Sequence, residues 1–534
     1  MKKASISYLK IVSAFMYVYR WYLLIAVLTV LFVSRPLWPS DRMFMFHDRT
    51  QFARVIEFAH AIARGEIPPV YASQFNFGIG YPVFLFYAPL AYWVTATLYL
   101  TGIGVVTALK SSMLFALIVG AWGSFTWVSR RFSPSAGLVA AIAFVTSPWI
   151  ASEIFVRGNI ATLWFLALAP WSLWSLDIYE KRKLVASLLV SATLLTHNAL
   201  SLLWLPILIA YSMVAFHKNR IQRLRFVVLT GLMAGAFWIP ALFQLPQMHA
   251  TEVARLTDIH DHFLCVEQIW TTASWGFGGS TRGCVEDGMS FMLGKLHIIL
   301  ALIGIAGTLA LMRKHRKTVV DGLFFIWALF LTLYDAAPIW DLVRPLHVIQ
   351  FPWRLLSIAL VFAIGLSGAG AFVLFHLTRT VASRYQPHVV ARFAPFLKKL
   401  KTHLPKHKLI RSAIKWVELR PYDLLRWLMA GLIVVVLLWS AQKFFWAPSV
   451  SIQEIETQLA STEYISTAAA YDIPEYVPKT VDYTAWQTYR SSLPNSQELA
   501  QLQKEFNAFQ PNVIYQIVGL VIALTSFVII LWFL

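Results

Sequence analysis

The sequence predicts an all-α protein that crosses a membrane many times. Of its 534 residues, 58% are hydrophobic and only 13% are charged, and the mean hydropathy is +0.62. The apolar residues occur in repeated, continuous runs of roughly 18–25, which is the length a helix needs to cross a bilayer. Because these runs do not alternate with polar residues, a membrane β-barrel is disfavoured.

The basic charge of the chain, +19 in total, follows the predicted topology. About 12 transmembrane helices with both termini in the cytoplasm put the clusters "SRR", "EKRK", "HKNRIQRLR" and "MRKHRK" on one side. Lys and Arg concentrate on the cytoplasmic side of membrane proteins. The charge therefore indicates the orientation of the chain in its membrane, with membrane lipids as surroundings, and no nucleic-acid partner.

The first outer loop, residues 35–107, is predicted to hold helices that do not cross. "RTQFARVIEFAHAIARG" has apolar residues at helical spacing, and Gly65, Pro68 and Pro69 end it. "YPVFLFYAPLAYWVTATLYLTG", residues 81–102, is apolar enough to cross, but a crossing would place the basic clusters outside. We therefore expect residues 81–102 to form an interfacial or re-entrant segment. Their Tyr, Trp and Pro content is typical of the interface between membrane and water.

The remaining organisation follows from these assignments. Residues 447–512 are polar and too short for an independent domain, so they are expected to fold onto the other outer loops as a small lid. The basic cytoplasmic loop 378–426 has apolar residues at helical spacing, which favours a helix on an anionic leaflet, with a regulatory or partner role as the alternative. The predicted parts are a core of 1–377 with outer loops 35–107 and 246–290, the loop 378–426, a helix at 427–446, the lid 447–512 and a helix at 513–534.

The second outer loop contains the only two cysteines, Cys265 and Cys284. An outer loop faces an oxidising compartment, so a disulfide is predicted, with two free buried thiols as the alternative. Between them, Trp270 and Trp275 lie in a glycine-containing stretch. They suit stacking on sugar rings as substrate-binding residues, and equally suit packing onto the membrane surface.

No phosphate-binding loop, dinucleotide fingerprint or Cys-His metal cluster occurs in a usable context. An enzyme on the outer face would meet no nucleotide substrate there. It would need a lipid-linked or otherwise exported donor.

Asp48 is the carboxylate best placed for chemistry in the first outer loop. It follows His47 in "FMFHDRTQFARV", shortly after the first predicted span. A carboxylate there serves as a general base towards a sugar hydroxyl, or holds a divalent cation such as Mg²⁺ or Mn²⁺. The structural alternative is an Asp48 that pairs with Arg49 or Arg42, or that caps a helix starting near Thr50.

Polar side chains also occur where predicted spans meet the outer surface. Arg157, Arg354 and His197 fall at this one level and could bind the phosphate of a lipid-linked donor. Glu153 and Asn198, from the same turns, are predicted to bind substrate. Taken singly, each also fits snorkelling or a structural ion pair, and their shared level favours the functional interpretation.

A second possible metal site is "DIHDHF" on the second outer loop. It puts Asp258, His260, Asp261 and His262 close together. His260 and His262 are, with Asp48, the candidate metal ligands.

Several segments in order along the chain resemble those of bacterial membrane proteins labelled 6-pyruvoyl-tetrahydropterin synthase-related, which resemble the C-type (GT-C) glycosyltransferase superfamily. The segments are "HDRTQFARVIEFAHAIARGEIPPVYASQFNFGIGYPVFLFYAPLAYW", "PWIASEIFVRGNIA", "LLTHNAL", "DGMSFMLGKLHIIL", "VIQFPWRLL" and "PEYVP". The first and "FPWR" are the more specific. No residue supports pterin chemistry.

The resemblance implies a GT-C-like fold with membrane-parallel helices in the first outer loop and a polyprenyl-phosphate sugar as donor. It also implies that the protein lies in a bacterial cytoplasmic (inner) membrane. It implies that Asp48, with His47 beside it, is catalytic. Where relatives often have two acidic residues, this chain has one, so a divalent cation stays an open alternative. Many relatives carry an acidic residue shortly after the "RG" of the third outer turn, where this chain has "RGNIAT". Glu153, which lies before this "RG", either takes that role or the role is missing. Tyr476, in "PEYVP", is predicted to bind substrate.

The implied reaction is a single displacement at the anomeric carbon with inversion. Asp48 takes the proton of a glycan, lipid or protein acceptor, while Arg157, Arg354 and His197 offset charge on the leaving lipid phosphate. Two alternatives stay open. One is a transporter of a lipid-linked substrate, which would carry inverted repeats and midplane charges. The other is a non-catalytic envelope assembly protein that binds polysaccharide or lipid.

Overall fold

The protein's structure is a computed structural model that is almost entirely helical, which confirms the all-α fold class. It describes residues 21–38, 43–255, 258–271, 275, 289–311, 315–403, 421–447, 451–452 and 455–533. The only strands within these residues are β1 (Met43–Phe44) and β2 (Ser451–Ile452), which pair antiparallel. They join the first outer loop to the start of the lid.

Twenty-four α-helices are described. The first half of the chain holds α1 (Trp21–Val33), α2 (Gln51–Ala63), α3 (Val83–Phe86), α4 (Leu90–Leu100), α5 (Val105–Arg131), α6 (Pro134–Thr146), α7 (Pro148–Ser152), α8 (Ile160–Ile178), α9 (Lys183–Leu194), α10 (Asn198–Val214), α11 (Arg220–Met233), α12 (Gly235–Gln244) and α13 (Ala250–Arg255). The second half holds α14 (Val266–Trp270), α15 (Lys295–Leu311), α16 (Arg316–Phe330), α17 (Ala337–Leu342), α18 (Leu355–His403), α19 (Pro421–Ala441), α20 (Ile455–Leu459), α21 (Thr462–Thr467), α22 (Tyr483–Thr488), α23 (Ser496–Ala508) and α24 (Val513–Phe533).

Short 3₁₀ turns connect many of these helices, and one π-helical turn, Glu153–Arg157, follows α7. The 3₁₀ turns are Arg35–Leu37, Leu245–Gln247, Ile259–His262, Tyr334–Ala336, Arg344–Ile349, Pro352–Arg354, Gln442–Phe444, Ala469–Asp472 and Pro474–Tyr476.

Six helical stretches of the described chain are long and apolar enough to cross a membrane, or seven if the pair α11–α12, bent by 64°, forms one span. The six are Val105–Arg131, Pro134–Arg157, Ile160–Ile178, Pro352–Thr380, Leu425–Phe444 and Val513–Trp532. Shorter apolar helices of 10–17 residues are α1, α4, α9, α10 and α15. The number of twelve crossings therefore stays a prediction.

The bundle is held together by close helix packing and by a buried polar cluster. Gly370 of α18 lies against α15 so closely that an added Cβ would stand 2.1 Å from the Leu300 carbonyl oxygen. At the end of α5, Arg131 donates hydrogen bonds to Asp321 (2.9 Å) and to the Tyr211 hydroxyl (2.9 Å). Because these side chains are buried, their pairing ties α5, α10 and α16 together at this end.

The first outer loop folds as the sequence predicts over α2. The helix begins after Thr50 and ends at Ala63, and Gly65 at φ +82° turns the chain away. Nearly all of α2 is buried, including Arg54 and Glu57, because α4 and other segments cover its polar face. Residues 81–102 form α3 and α4, separated by a break at Tyr87–Pro89. Whether they cross the membrane stays a prediction.

The lid packs against the first outer loop through specific polar contacts. The Tyr81 hydroxyl donates to the Ile473 carbonyl oxygen (2.7 Å), and the Trp486 indole N–H donates to the side-chain oxygen of Asn76 (3.0 Å). Trp486 is fully buried and stacks on Tyr471 at 4.4 Å. The lid and this loop therefore share one hydrophobic core.

The basic segment 378–426 begins as a direct extension of α18. This helix runs without interruption for 49 residues to His403, about 73 Å at 1.5 Å per residue. Residues 404–420 lie outside the described chain. The surface helix predicted for this segment is thus, in its first part, continuous with the apolar stretch Pro352–Thr380.

Candidate active site

Five of the predicted site residues line one cavity of about 210 Å³. The cavity lies between α2, the α3–α4 break, the start of α10, the helix α12, the stretch 348–354 and the lid. Its walls include Asp48, His197, Asn198, Arg354 and Tyr476. Side chains from four separate stretches of the sequence therefore meet in one place.

The backbone of Asp48 is fixed to the π-helical turn. The His47 N–H donates to the Val156 carbonyl oxygen (2.9 Å) and the Asp48 N–H to that of Arg157 (3.1 Å). Gly158, at φ +64°, follows this turn, and an added Cβ would stand 2.0 Å from the ring of Phe46. A glycine is needed here both for the backbone conformation and for the close approach.

The Asp48 carboxylate is oriented by three donors from α2 and its N-cap. Its Oδ1 accepts from the Thr50 hydroxyl (2.9 Å) and from Arg54, and its Oδ2 accepts from the Gln51 amide (2.6 Å). The Asp48 side chain stays 26% exposed, whereas that of Arg54 is 1% exposed. A carboxylate held in this way faces the cavity in a fixed orientation.

Arg54 was missed by the sequence analysis and is the ion-pair partner of Asp48. Arg49 does not take this role, and Arg42 lies outside the described residues. Arg54 also donates to the Tyr92 hydroxyl (2.8 Å), which in turn donates to the Gln51 side chain (3.1 Å). The sequence offers one signal for Arg54. This residue lies one turn after Gln51 on α2, so its side chain is on the helix face next to Asp48.

Arg354 forms no ion pair with any carboxylate among the described residues. Its Nη1 donates to the Ile349 carbonyl oxygen (2.6 Å), its guanidinium stacks over Phe351 at 4.7 Å, and its buried Nε has no partner in the described chain. The preceding turn contains Gln350 at φ +63°, a conformation that costs about 1–3 kcal/mol for a non-glycine residue. A cation with unused donors therefore faces the cavity.

Arg157 and Glu153 do not line this cavity. Arg157 donates to both carboxylate oxygens of Glu153, at 2.7 and 2.8 Å, and its guanidinium lies 4.7 Å from the Trp353 ring. Glu153 is fully buried. A fully buried carboxylate requires such a partner, so this pair supports the π-helical turn beneath Asp48. The arrangement therefore favours a structural role for both residues over direct contact with substrate.

His197 and Asn198 line the cavity with part of their hydrogen-bonding capacity already used. The His197 Nδ1 accepts from the Leu200 N–H (3.3 Å) as the N-cap of α10, and burial together with nearby arginines holds its pKa well below the usual value. A neutral His197 with Nδ1 as acceptor carries its proton on Nε2. His197 can thus donate one hydrogen bond, but it does not add the charge predicted for it.

Asn198 uses both ends of its amide to fix the α3–α4 break. Its Oδ1 accepts from the Ala88 N–H (2.8 Å), and its Nδ2 donates to the Phe86 carbonyl oxygen (2.5 Å). The substrate-binding role predicted for Asn198 is therefore better described as positioning of the cavity wall.

The lid contributes Tyr476 and a residue that the sequence analysis did not single out, Glu475. Tyr476 stacks on Phe86 with ring centroids 5.0 Å apart and meets Tyr87 edge-on at 5.6 Å. Burial raises the pKa of Glu475, and its Oε2 is buried without a partner among the described residues. The only sequence signal for Glu475 is its presence in "PEYVP".

Residues 84–383 match a protein family described as "6-pyruvoyl-tetrahydropterin synthase related domain; membrane protein". The chain belongs to this family. The match covers His197 and Arg354 of this family member, whereas Asp48 and Glu475 lie outside it. No curated protein sequence matches the chain.

Several solved structures are similar to this family member at low sequence identity. ArnT from Cupriavidus metallidurans bound to undecaprenyl phosphate is 14% identical, with 95% of this chain and 89% of that chain covered and a TM-score of 0.42. The oligosaccharyltransferase of Archaeoglobus fulgidus is 12% identical, with coverages of 92% and 60% and a TM-score of 0.46. The arabinofuranosyltransferase AftD from Mycobacteria is 16% identical, with coverages of 67% and 26% and a TM-score of 0.41. At such scores, the function has to be argued from the site itself.

The predicted aromatic and metal-binding residues of the second outer loop do not line this cavity. Trp275 donates to the Trp446 carbonyl oxygen (2.9 Å), and Trp270 lies beneath Lys295 at 5.8 Å. Cys265 is disulfide-bonded, and Cys284 lies outside the described residues.

His260 stands between two carboxylates, with Nδ1 3.0 Å from Asp258 and Nε2 3.2 Å from Asp341. These hydrogen bonds raise its pKa, and they connect the second outer loop to α17. His262 packs edge-on against Phe351, at 4.6 Å. Within the described residues, no three His, Cys, Asp or Glu side chains form a group that could hold a metal ion.

Proposed function

We propose that this protein is a membrane glycosyltransferase that moves a sugar from a polyprenyl-phosphate-linked donor to an acceptor on the outer face of the membrane. The observation that carries the proposal is Arg354, a cation without an ion-pair partner in the described chain, in the same cavity as the oriented carboxylate of Asp48. Transfer from a lipid phosphate needs both groups: a cation for the phosphate and a base for the acceptor.

The proposed reaction is a single displacement. The acceptor oxygen forms a bond to the anomeric carbon while the bond between that carbon and the phosphate oxygen breaks. The acceptor proton passes to Asp48, and the electron pair leaves with the lipid phosphate. Arg354 and the Nε2–H of His197 stabilise the charge that develops on this phosphate. The anomeric configuration is inverted.

The residues around Asp48 fit a base better than a metal ligand. Both of its oxygens already accept hydrogen bonds, and Arg54 supplies the compensating charge. A divalent cation on this carboxylate would have to compete with the buried Arg54. We therefore assign no step to a metal, and an EDTA arm in the assay tests this assignment.

The test is a transfer assay on the full chain in proteoliposomes with radiolabelled undecaprenyl-phosphate sugars. The variants are Arg354→Gln and Asp48→Asn, with Arg344→Gln as the matched control because Arg344 is exposed on the same connecting stretch. We expect wild type and Arg344→Gln to consume one donor, and Asp48→Asn to be slower by about 10²–10⁴-fold. Equal turnover by wild type and Arg354→Gln would refute the phosphate assignment. Donor binding without turnover by wild type would favour a transporter or an assembly protein.

A further inference from the structure

We propose that Glu475 recognises the transferred sugar through its hydroxyl or amino groups, so that the donor carries a neutral or amino sugar and not a uronic acid. This inference rests on the proposed function and adds to it the class of sugar. Glu475 lies on the lid, between Pro474 and Tyr476, and lines the same cavity as Asp48 and Arg354.

The first support is the unused hydrogen-bonding capacity of Glu475. Its own backbone N–H bonds the carboxylate, but Oε2 is shielded from solvent and has no partner among the described residues. Leaving a buried charged oxygen without a partner costs more than leaving a neutral one. A ligand that offers an O–H or N–H donor to Oε2 removes this cost.

The second support is the distribution of charge around the cavity. Arg54 is paired with Asp48, and Arg157 with Glu153. Arg354 therefore remains as the cation available for the donor phosphate, while Asp48 and Glu475 are both acidic. A second anionic group on the substrate, such as the carboxylate of a uronic acid, would meet these two carboxylates without a free cation of its own among the described residues. Neutral hydroxyl groups and ammonium groups meet no such repulsion.

The third support is the rigid attachment of Glu475. Tyr476 stacks on Phe86 at 5.0 Å, and the Val477 carbonyl oxygen accepts from the His249 N–H (2.9 Å). Neighbours on both the first and second outer loops thus hold the segment in place. A carboxylate that is fixed before the substrate arrives loses little conformational freedom when it binds.

The experiment measures the affinity of the full chain in nanodiscs for undecaprenyl phosphate and for a panel of undecaprenyl-phosphate sugars. The panel holds neutral hexoses, a pentose, an amino hexose and a hexuronic acid. The variants are Glu475→Gln, which removes the charge, and Glu475→Met, which removes the acceptor. The control is Glu463→Gln, because Glu463 is exposed elsewhere on the lid.

We expect one neutral or amino sugar donor to bind wild type more tightly than undecaprenyl phosphate itself. Glu475→Met should weaken that donor by about tenfold to a hundredfold, and Glu475→Gln by less, because a charged acceptor forms the stronger hydrogen bond. Neither variant should change the affinity for undecaprenyl phosphate, which also reports that the variants are folded.

Three results would overturn the proposal. They are a preference of wild type for the hexuronic acid, a sugar preference that survives Glu475→Met, and equal affinity of wild type for sugar-free and sugar-bearing lipid. In each case, binding of undecaprenyl phosphate would leave the phosphate site intact. Failure of wild type to bind any of these lipids would instead remove the proposed function.

Discussion

Replacing Asp48 alone does not separate a catalytic role from a structural one, because Asp48 also balances the charge of Arg54. The informative perturbation is a double-mutant cycle of Asp48→Asn, Arg54→Gln and the two changes combined. Arg54 is 1% exposed and depends on Asp48, Thr50 and Tyr92 for its polar contacts. Asp48→Asn leaves this guanidinium buried without a counter-charge.

The expected magnitudes follow from the burial of the two partners. Breaking a buried ion pair by removing one partner costs about 3–5 kcal/mol. Asp48 is 26% exposed, so water offsets part of this cost, and we expect about 2–3 kcal/mol for each single change. In the double variant no charge is left unpaired. Its loss of stability should fall below the sum of the single losses by about 1–3 kcal/mol.

The assay measures the free energy of unfolding in mixed detergent micelles and, on the same samples, transfer from the radiolabelled donor. We expect the double variant to recover stability relative to the sum while transfer stays as low as in Asp48→Asn. Recovery of transfer together with stability would mean that Asp48 serves Arg54 and not the reaction. Strictly additive losses of stability would refute the ion pair itself.

Three further predictions concern the lid and the outer loops. Glu475→Gln should raise the thermal midpoint of unfolding at pH 8 but not near pH 4. The reason is that the pKa of the Glu475 carboxyl is raised, so wild type loses stability as the pH rises through that pKa. A thermal midpoint unchanged by the substitution at pH 8 would contradict the burial of Glu475. His260→Gln should destabilise the protein at pH 6 and have less effect at pH 8, because the raised pKa of His260 gives stability that is lost as the pH rises through it. Since His260 is 40% exposed, we expect the free energy of unfolding to fall by less than about 1 kcal/mol. A loss of stability independent of pH would argue against the hydrogen bonds of His260 to the two aspartates. Trp486→Phe removes a buried hydrogen bond and should destabilise the docked lid by about 1–3 kcal/mol, which limited proteolysis would detect as faster cleavage within 447–512, with unchanged cleavage as the contrary result.

Much of the fold could be predicted from hydropathy, because the length and spacing of apolar runs are properties of local sequence. The bounds of α2 were predictable for the same reason, from the N-cap position of Thr50 and the stop at Gly65. The burial of its polar face was not predictable. It depends on Tyr92 of α4, which bonds Arg54, and on Ser73 and Gln74, which bond Glu57. No local pattern encodes these contacts.

The site shows the same division. The sequence predicts that Arg157, Arg354 and His197 lie at one level of the membrane, and of these Arg354 and His197 line the cavity together with Asp48. The partner of each side chain does not follow from that level. Arg157 meets Glu153 through the π-helical turn, and Asn198 meets the backbone of the α3–α4 break, so both are engaged in support of the walls.

The contacts that join the lid to the first outer loop also determine when the complete cavity can first form during synthesis. The hydrogen bond from Tyr81 to Ile473 spans 392 positions, and that from Trp486 to Asn76 spans 410. At about 5–20 residues per second, the ribosome needs roughly 20–80 seconds to proceed from the first partner of each hydrogen bond to the second. Throughout that interval the nascent chain holds the wall with Asp48 but lacks the wall with Glu475. A finished site therefore requires the last outer segment to have been translated and folded back, and a ribosome that stalls before it leaves a bundle with an open and incomplete cavity.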